Sequence, residues 1–338
     1  MSIQSNNLET LKPLFVYGTL KENEIAYHQI SKLVDRTNPA SVRNFALYIR
    51  DGIPLVIQAQ GWRVDGELIY AKPDACEELL QTVDKYEGVR LYERQVTRAQ
   101  LDIRNSNNAD QSTENGVECY IYVGVNYKNG NAEPIHEPWS SSLDPIFSES
   151  FPDLFKEIKS VIQNSDEPLP GQYDWKLYND LAGKHLLLVT IIERIAYLKF
   201  GEQYTEIGKN GFNDRVMKRI TELGKTEEFK NAYKKVKLLD GIYSVEVFDS
   251  RNASRLLSTG KIGQAMDAWY QVRSNLQHRG KAAWRDFDIL RNSLTGLANV
   301  TRYLLIELMP KLENQIQFKD LQSEEIIRIP VSSPTVGL

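Results

Sequence analysis

Residues 14–20 read Leu-Phe-Val-Tyr-Gly-Thr-Leu, and well downstream residues 83–96 read Val-Asp-Lys-Tyr-Glu-Gly-Val-Arg-Leu-Tyr-Glu-Arg-Gln-Val. The first segment is an apolar strand ending in a tight Tyr-Gly-Thr turn. The second ends a helix and sets one carboxylate, Glu87, immediately before Gly88 and a new strand. A loop with free backbone amides facing a single acid suits a small zwitterionic ligand. The amides hold its carboxylate and the acid takes its proton.

The surrounding pattern is mostly that of strands. Residues 42–50, 54–59 and 66–70 are short β-prone runs separated by turn residues. Residues 75–86 are the exception: Leu79, Leu80 and Val83 fall at helical spacing, with acids in the first turn. Residues 91–103 and 116–125 read as a hairpin joined by an Asn/Ser/Asp-rich connection. The expectation is a small β-rich, barrel-like α+β domain over residues 1–128. Residues 129–150, with Pro134, Pro138, Pro145 and a serine run, read as a linker. Helical patterns then follow over 151–162, 174–200, 213–223, 227–247, 261–278 and 284–308, giving an all-α domain over 151–310. Residues 311–338 read as a polar tail.

The ordered set Tyr17-Gly18-Thr19-Leu20, Gly66-Glu67-Leu68-Ile69-Tyr70, Asp84-Lys85-Tyr86-Glu87-Gly88, Tyr92-Glu93-Arg94 and Tyr120-Ile121-Tyr122-Val123 resembles the γ-glutamylcyclotransferase-like (AIG2-like) family over roughly residues 13–127. The resemblance implies cyclisation of a γ-glutamyl group to 5-oxoproline, with release of the amine. Glu87 would be the general base, working best with a raised pKa. The backbone amides of Gly18, Thr19 and Leu20 would hold the α-carboxylate, and Tyr17 and Tyr92 would shape the pocket. Tyr120 and Tyr122 read as strand packing, and Glu67 and Glu93 as surface residues.

Composition narrows the rest. The net charge of -4 divides unevenly: 14 basic against 21 acidic residues over 1–150, and 27 against 24 beyond. The C-terminal half is therefore the better candidate for an anionic partner. Two separated cysteines, Cys76 and Cys119, and four scattered histidines offer neither a disulfide framework nor a metal-ligand spacing, so no metal or cofactor is expected. The polar N-terminus does not read as a signal peptide, and no apolar run is long enough to span a bilayer. A cytoplasmic location without membrane association is the expectation.

Arg273-Ser274-Asn275-Leu276-Gln277-His278, between helical segments, resembles the HEPN superfamily through its Arg-x4-His spacing. Ser274 stands where that family often carries Asn. The resemblance implies a HEPN-like bundle, a homodimer and metal-independent RNA cleavage. His278 would move the proton, Arg273 would stabilise phosphoryl charge, and Ser274 and Asn275 would contact the RNA. Positions 273 and 278 lie about 140° apart on a regular helix. Either the helix breaks near Leu276 or two chains build the cleft. His185 reads as a core or helix-surface residue, and Trp269 and Trp284 as packing or dimer anchors.

Together these readings give a two-module protein. Its leading function is a toxin- or defence-like endoribonuclease whose first domain binds or cyclises a γ-glutamyl ligand, restrained by a cognate antitoxin or regulator. One alternative is a metabolic γ-glutamylcyclotransferase with helices that serve dimerisation. Another is a non-catalytic, ligand-gated binding module.

Overall fold

The computed structural model describes residues 12–50, 53–88, 91–102, 116–125, 133–141, 144, 150–164, 174–202, 212–240, 244–248, 254–258, 262–279, 287–308 and 327. The chain divides into two compact units, Met1–Pro145 with Tyr197–Glu206, and Ile146–Ala196 with Ile207–Leu338.

The first unit is a five-stranded closed barrel. Its strands are β1 (Leu14–Val16), β2 (Val34–Arg50), β3 (Ile53–Ala71), β4 (Tyr92–Leu101) and β5 (Val117–Gly124), in the order β1-β3-β2-β4-β5. The parallel pairing of β5 with β1 closes it; the remaining pairs are antiparallel. The three short runs expected at 42–50, 54–59 and 66–70 belong to two long strands of 17 and 19 residues. The strands continue through the polar residues, although the ladder is irregular where residues 59–62 of β3 lie opposite Asn44. The register shifts between Arg43 and Phe45, where Asn44 adopts a positive φ of 63° and its Oδ1 accepts the Gly61 N–H. A bulge at this point lets strands of such length bend enough to close a small barrel.

Alternation along β1 divides the apolar core in two. Leu14 and Val16 join Ile30, Leu55 and Ile69 on one face, where Leu79, Val83 and Tyr86 of helix α1 (Cys76–Glu87) cover them. Phe15 and Tyr17 point into a second cluster with Val42, Leu68, Ile121 and Trp139. Trp139 lies within the segment read as a linker, yet it is 0% exposed. Ile135 N–H donates to Leu47 O at 2.7 Å, and Ser141 donates through N–H and Oγ to the Glu24 carboxylate. Proline spacing marks where the chain leaves regular structure. It does not report that one buried indole holds the segment down.

The second unit comprises α2 (Ser150–Asn164), α3 (Trp175–Phe200) up to Ala196, α4 (Phe212–Lys225), α5 (Glu227–Asp240), the antiparallel strands β6 (Ser244–Phe248) and β7 (Ser254–Ser258), α6 (Ile262–Arg279) and α7 (Phe287–Leu308). The all-α expectation needs one correction. The helix expected over 227–247 ends at Asp240, and residues 244–248 pair with β7. Alternating Val245 and Val247 are as compatible with a strand as with one face of a helix. His185 is a core residue of α3. Its Nε2 lies 2.9 Å from Ser293 Oγ, and burial lowers its pKa to about 3. Trp269 is buried, as packing requires, whereas Trp284 lies outside the described residues. No described helix is long and apolar enough to cross a membrane.

Candidate functional site

The pocket in the barrel unit forms where the turn after β1 meets the end of α1. It is lined by Phe15, Val16 and the run Tyr17 to Leu20, with Ile53 and Pro54, Tyr86 and Glu87, Tyr92 and Tyr122, and Tyr197 and Gly201. Its empty space, open mouth included, is about 500 Å³.

The turn is built by backbone bonds on its far side. Lys21 N–H donates to Gly18 O, and Ala26 N–H donates to Thr19 O. The amides of Gly18, Thr19 and Leu20 themselves donate to no acceptor among the described residues. A run of successive amides with no acceptor among the described residues, at a pocket wall, is the arrangement that can cradle an anion. Only glycine fits at 18, because a Cβ there would lie 2.6 Å from Pro54 Cγ. Pro54 is itself held, since its carbonyl accepts the Tyr92 hydroxyl at 2.9 Å.

Glu87 is the last helical residue of α1. Leu79, Val83 and Tyr86 anchor the helix, and Gly88 (φ 74°) turns the chain away from it. The residue is half-buried, protein crowds its carboxyl group, and no described residue hydrogen-bonds it. Burial therefore raises its pKa from 4.5 to about 8. The C-terminal end of a helix disfavours negative charge as well.

Around this carboxyl stand tyrosines. Tyr17 donates to Tyr122 O at 2.8 Å, and Tyr122 donates to Asp84, which also pairs with Arg94 at 3.1 Å. Tyr86 donates to Leu198 O at 2.7 Å and receives Thr19 Oγ1 at 2.8 Å. Burial, and secondarily the charge of Glu87, pushes Tyr17 well above its ordinary pKa. Burial is the largest cause for Tyr92 and Tyr122 too. These hydroxyls stay protonated and keep their donor roles.

The structure thus brings together Glu87, Gly18, Thr19, Leu20, Tyr17 and Tyr92. Tyr122, read from sequence as packing, lines the pocket as well. Tyr86 lay inside a quoted motif, but its bridging hydroxyl has no sequence signature. Tyr197 and Gly201 carry no sequence signal at all, being more than a hundred residues beyond Glu87.

The residues of the second motif are arranged differently. α6 runs without a break from Ile262 to Arg279, so the interruption expected near Leu276 is absent. Positions 273 and 278 therefore remain about 140° apart around one axis. Arg273 pairs with Glu193 at 3.4 Å and stacks over Tyr270 at 5.3 Å. Ser274 is half-buried, while the side chains of Asn275 and His278 lie outside the described residues. Among the described residues no cluster of three or more His, Cys, Asp or Glu side chains is arranged to hold a metal ion.

Residues 14–141 match the family described as gamma-glutamyl cyclotransferase, AIG2-like, and this N-terminal region is an AIG2-like domain. Two solution structures of Arabidopsis thaliana proteins are similar. One is 18% identical over 38% of this chain and 76% of that chain, with a TM-score of 0.27. The other is 20% identical over 48% and 93%, with a TM-score of 0.30. A gamma-glutamyl cyclotransferase is 16% identical over 35% of this chain and 68% of its own, with a TM-score of 0.24. No curated protein matches the chain.

Proposed function

We propose that the barrel unit is a γ-glutamylcyclotransferase that converts a γ-glutamyl amide to 5-oxoproline and a free amine. The observation that carries this reading is the Glu87 carboxyl, which no described residue hydrogen-bonds, in a pocket shared with Gly18, Thr19 and Leu20, whose amides donate to no acceptor among the described residues.

The α-carboxylate of the substrate sits on the amide cradle. Glu87, once ionised, takes a proton from the α-ammonium. The freed amine attacks the γ-carbonyl carbon, forming the C–N bond of the five-membered lactam. The bond to the leaving nitrogen then breaks as Glu87 returns that proton to it. The second proton, shed by the ring nitrogen as the lactam forms, passes by the same carboxylate to the departing amine, which leaves as an ammonium. No proton is gained or lost overall. A carboxyl with a pKa near the working pH suits both halves of this transfer. The tyrosine hydroxyls fix the walls without adding charge.

The direct test is 5-oxoproline release from a panel of γ-glutamyl amides, with RNA cleavage in excess EDTA measured alongside. Product from the first assay is expected. Absence of 5-oxoproline across the panel, with RNA cleaved and cleavage lost in His278→Ala, would shift the assignment to a ribonuclease. Separately, Gly18→Ala is expected to weaken binding of 5-oxoproline at least about tenfold, because the new Cβ must displace Pro54 or the cradle itself. Calorimetric titration of the product measures this, and unchanged affinity would remove the cradle from the site.

A further inference from the structure

The AIG2-like match ends at residue 141, yet two residues that line the pocket come from residues 197–201. The last turn of α3 and the residues after it belong to the barrel unit. Three contacts seat them on Tyr86, the residue before Glu87. Glu202 N–H donates to Tyr86 O at 2.8 Å, and the Tyr86 hydroxyl donates to Leu198 O at 2.7 Å. At Gly201 (φ 57°) the chain comes so close that a Cβ would lie 2.5 Å from Tyr86 O. Within the segment, Tyr197 donates to Glu202 Oε1 at 2.9 Å, and Gly201 N–H donates to Tyr197 O at 2.7 Å. Gln29, in the short helical turn after the cradle, donates to Lys199 O at 3.3 Å.

We propose that residues 197–202 are a built-in cap of this pocket, in which Tyr197 is a positioning residue that closes the wall beside Glu87 and Tyr86 relays the cap's position to the Thr19 cradle. The proposal concerns the site to which the cyclotransferase reading applies and extends it to a segment outside the matched family region. The relay is a continuous set of bonds: Leu198 O to the Tyr86 hydroxyl, and that hydroxyl to Thr19 Oγ1 at 2.8 Å. Tyr86 also precedes Glu87 on α1, so a shift of its ring and carbonyl moves the carboxyl.

Closure of the wall has a second consequence. The tyrosines that share the pocket with Glu87 are Tyr17, in the turn after β1, Tyr92 (β4), Tyr122 (β5), Tyr86 (α1) and Tyr197 (α3). Arg50 of β2, the cation that acts on Tyr17 and Tyr92, lies over the Tyr92 ring at 5.7 Å and donates to Val125 O and Leu91 O. Asp84, on the same helix as Glu87, is occupied by Tyr122 and Arg94, and Glu202 receives Tyr197. Among the described residues no cation pairs with the Glu87 carboxyl, so exclusion of water by the cap maintains its hold on the proton.

The test is the titration of Glu87 in the full chain, read by carboxyl carbon NMR with Glu87→Gln to assign the signal. Tyr197→Ala is expected to lower the Glu87 midpoint by about one pH unit, tenfold in proton affinity, and to raise KM. Tyr197→Phe, which retains the ring, should titrate like the wild type. An unchanged midpoint in Tyr197→Ala would overturn the cap. If Tyr197→Ala does not fold, Gly201→Ala serves instead: it should shift the Glu87 midpoint and weaken product binding, and wild-type values for both would equally overturn the proposal. The titration needs no turnover, so a cap that holds while every γ-glutamyl amide stays intact would sink the cyclotransferase reading alone.

Discussion

Glu87→Gln is expected to cut 5-oxoproline release by a factor of about 10² to 10⁴, the usual contribution of a positioned acid–base group. The fold should survive. Glutamine fills the same space and has no charge to desolvate. The wild type should follow pH in a defined way. Only the ionised carboxylate accepts the α-ammonium proton, so kcat/KM of the free enzyme should climb with pH and level off above about 8, the raised pKa. Stability should run the opposite way. Below pH 4.5 the group is protonated whether the chain is folded or unfolded. Between 4.5 and about 8 the unfolded chain loses the proton while the folded one keeps it, so stability falls across that window and is lowest above it. The full effect is of order 5 kcal/mol. Glu87→Gln removes this dependence. Its advantage over the wild type in urea unfolding should therefore grow from pH 5 to pH 9. An inactive variant whose advantage over the wild type is no larger at pH 9 than at pH 5 would contradict a carboxyl held protonated by burial.

The second large effect is expected at Trp139. This residue is 0% exposed, and its Nε1 has no hydrogen-bond partner among the described residues, so its contribution is read as packing. Trp139→Ala should destabilise the barrel by about 3–5 kcal/mol, through lost burial and the cavity left among Phe15, Tyr17 and Leu47. Substitution in an exposed linker would cost within about 0.5 kcal/mol. Hydrogen exchange of the β1 and β5 amides in urea distinguishes the two. The cradle should be affected too, because the segment that carries Trp139 also carries Ser141, which binds Glu24 in the turn after Leu20.

Much of the barrel could be read in the chain. Leu14 to Val16, the hairpin of β4 and β5, and α1 with Leu79 and Val83 on one face are local patterns, and each formed close to where periodicity put it. The errors have a common physical origin. β2 and β3 contain polar stretches that look like breaks, but each strand runs on through them because pairing with the other resumes beyond the irregularity at Asn44. Residues 244–248 lack a local feature that separates strand from helix; pairing with β7 made the choice. For the second motif, spacing in sequence allowed either a helix break near Leu276 or a cleft shared by two chains, and the break is absent. The unbroken α6 leaves positions 273 and 278 on different sides of one helix, with Arg273 turned to Glu193.

The sequence alone determined which chemical groups were available to the site. The Tyr-Gly-Thr turn had to free its amides, because glycine and a tight turn leave no neighbouring carbonyl to receive them. Glu87 had to end a helix, because Gly88 follows it. Only the tertiary structure decided what those groups became. The proton affinity of Glu87 comes from burial by Tyr17, Tyr92, Tyr122 and Tyr197, which lie on four separate elements. The wall comes from a helix end more than a hundred residues away. Desolvation is the sum of everything within a few ångströms of a group, and no local stretch of sequence contains that sum.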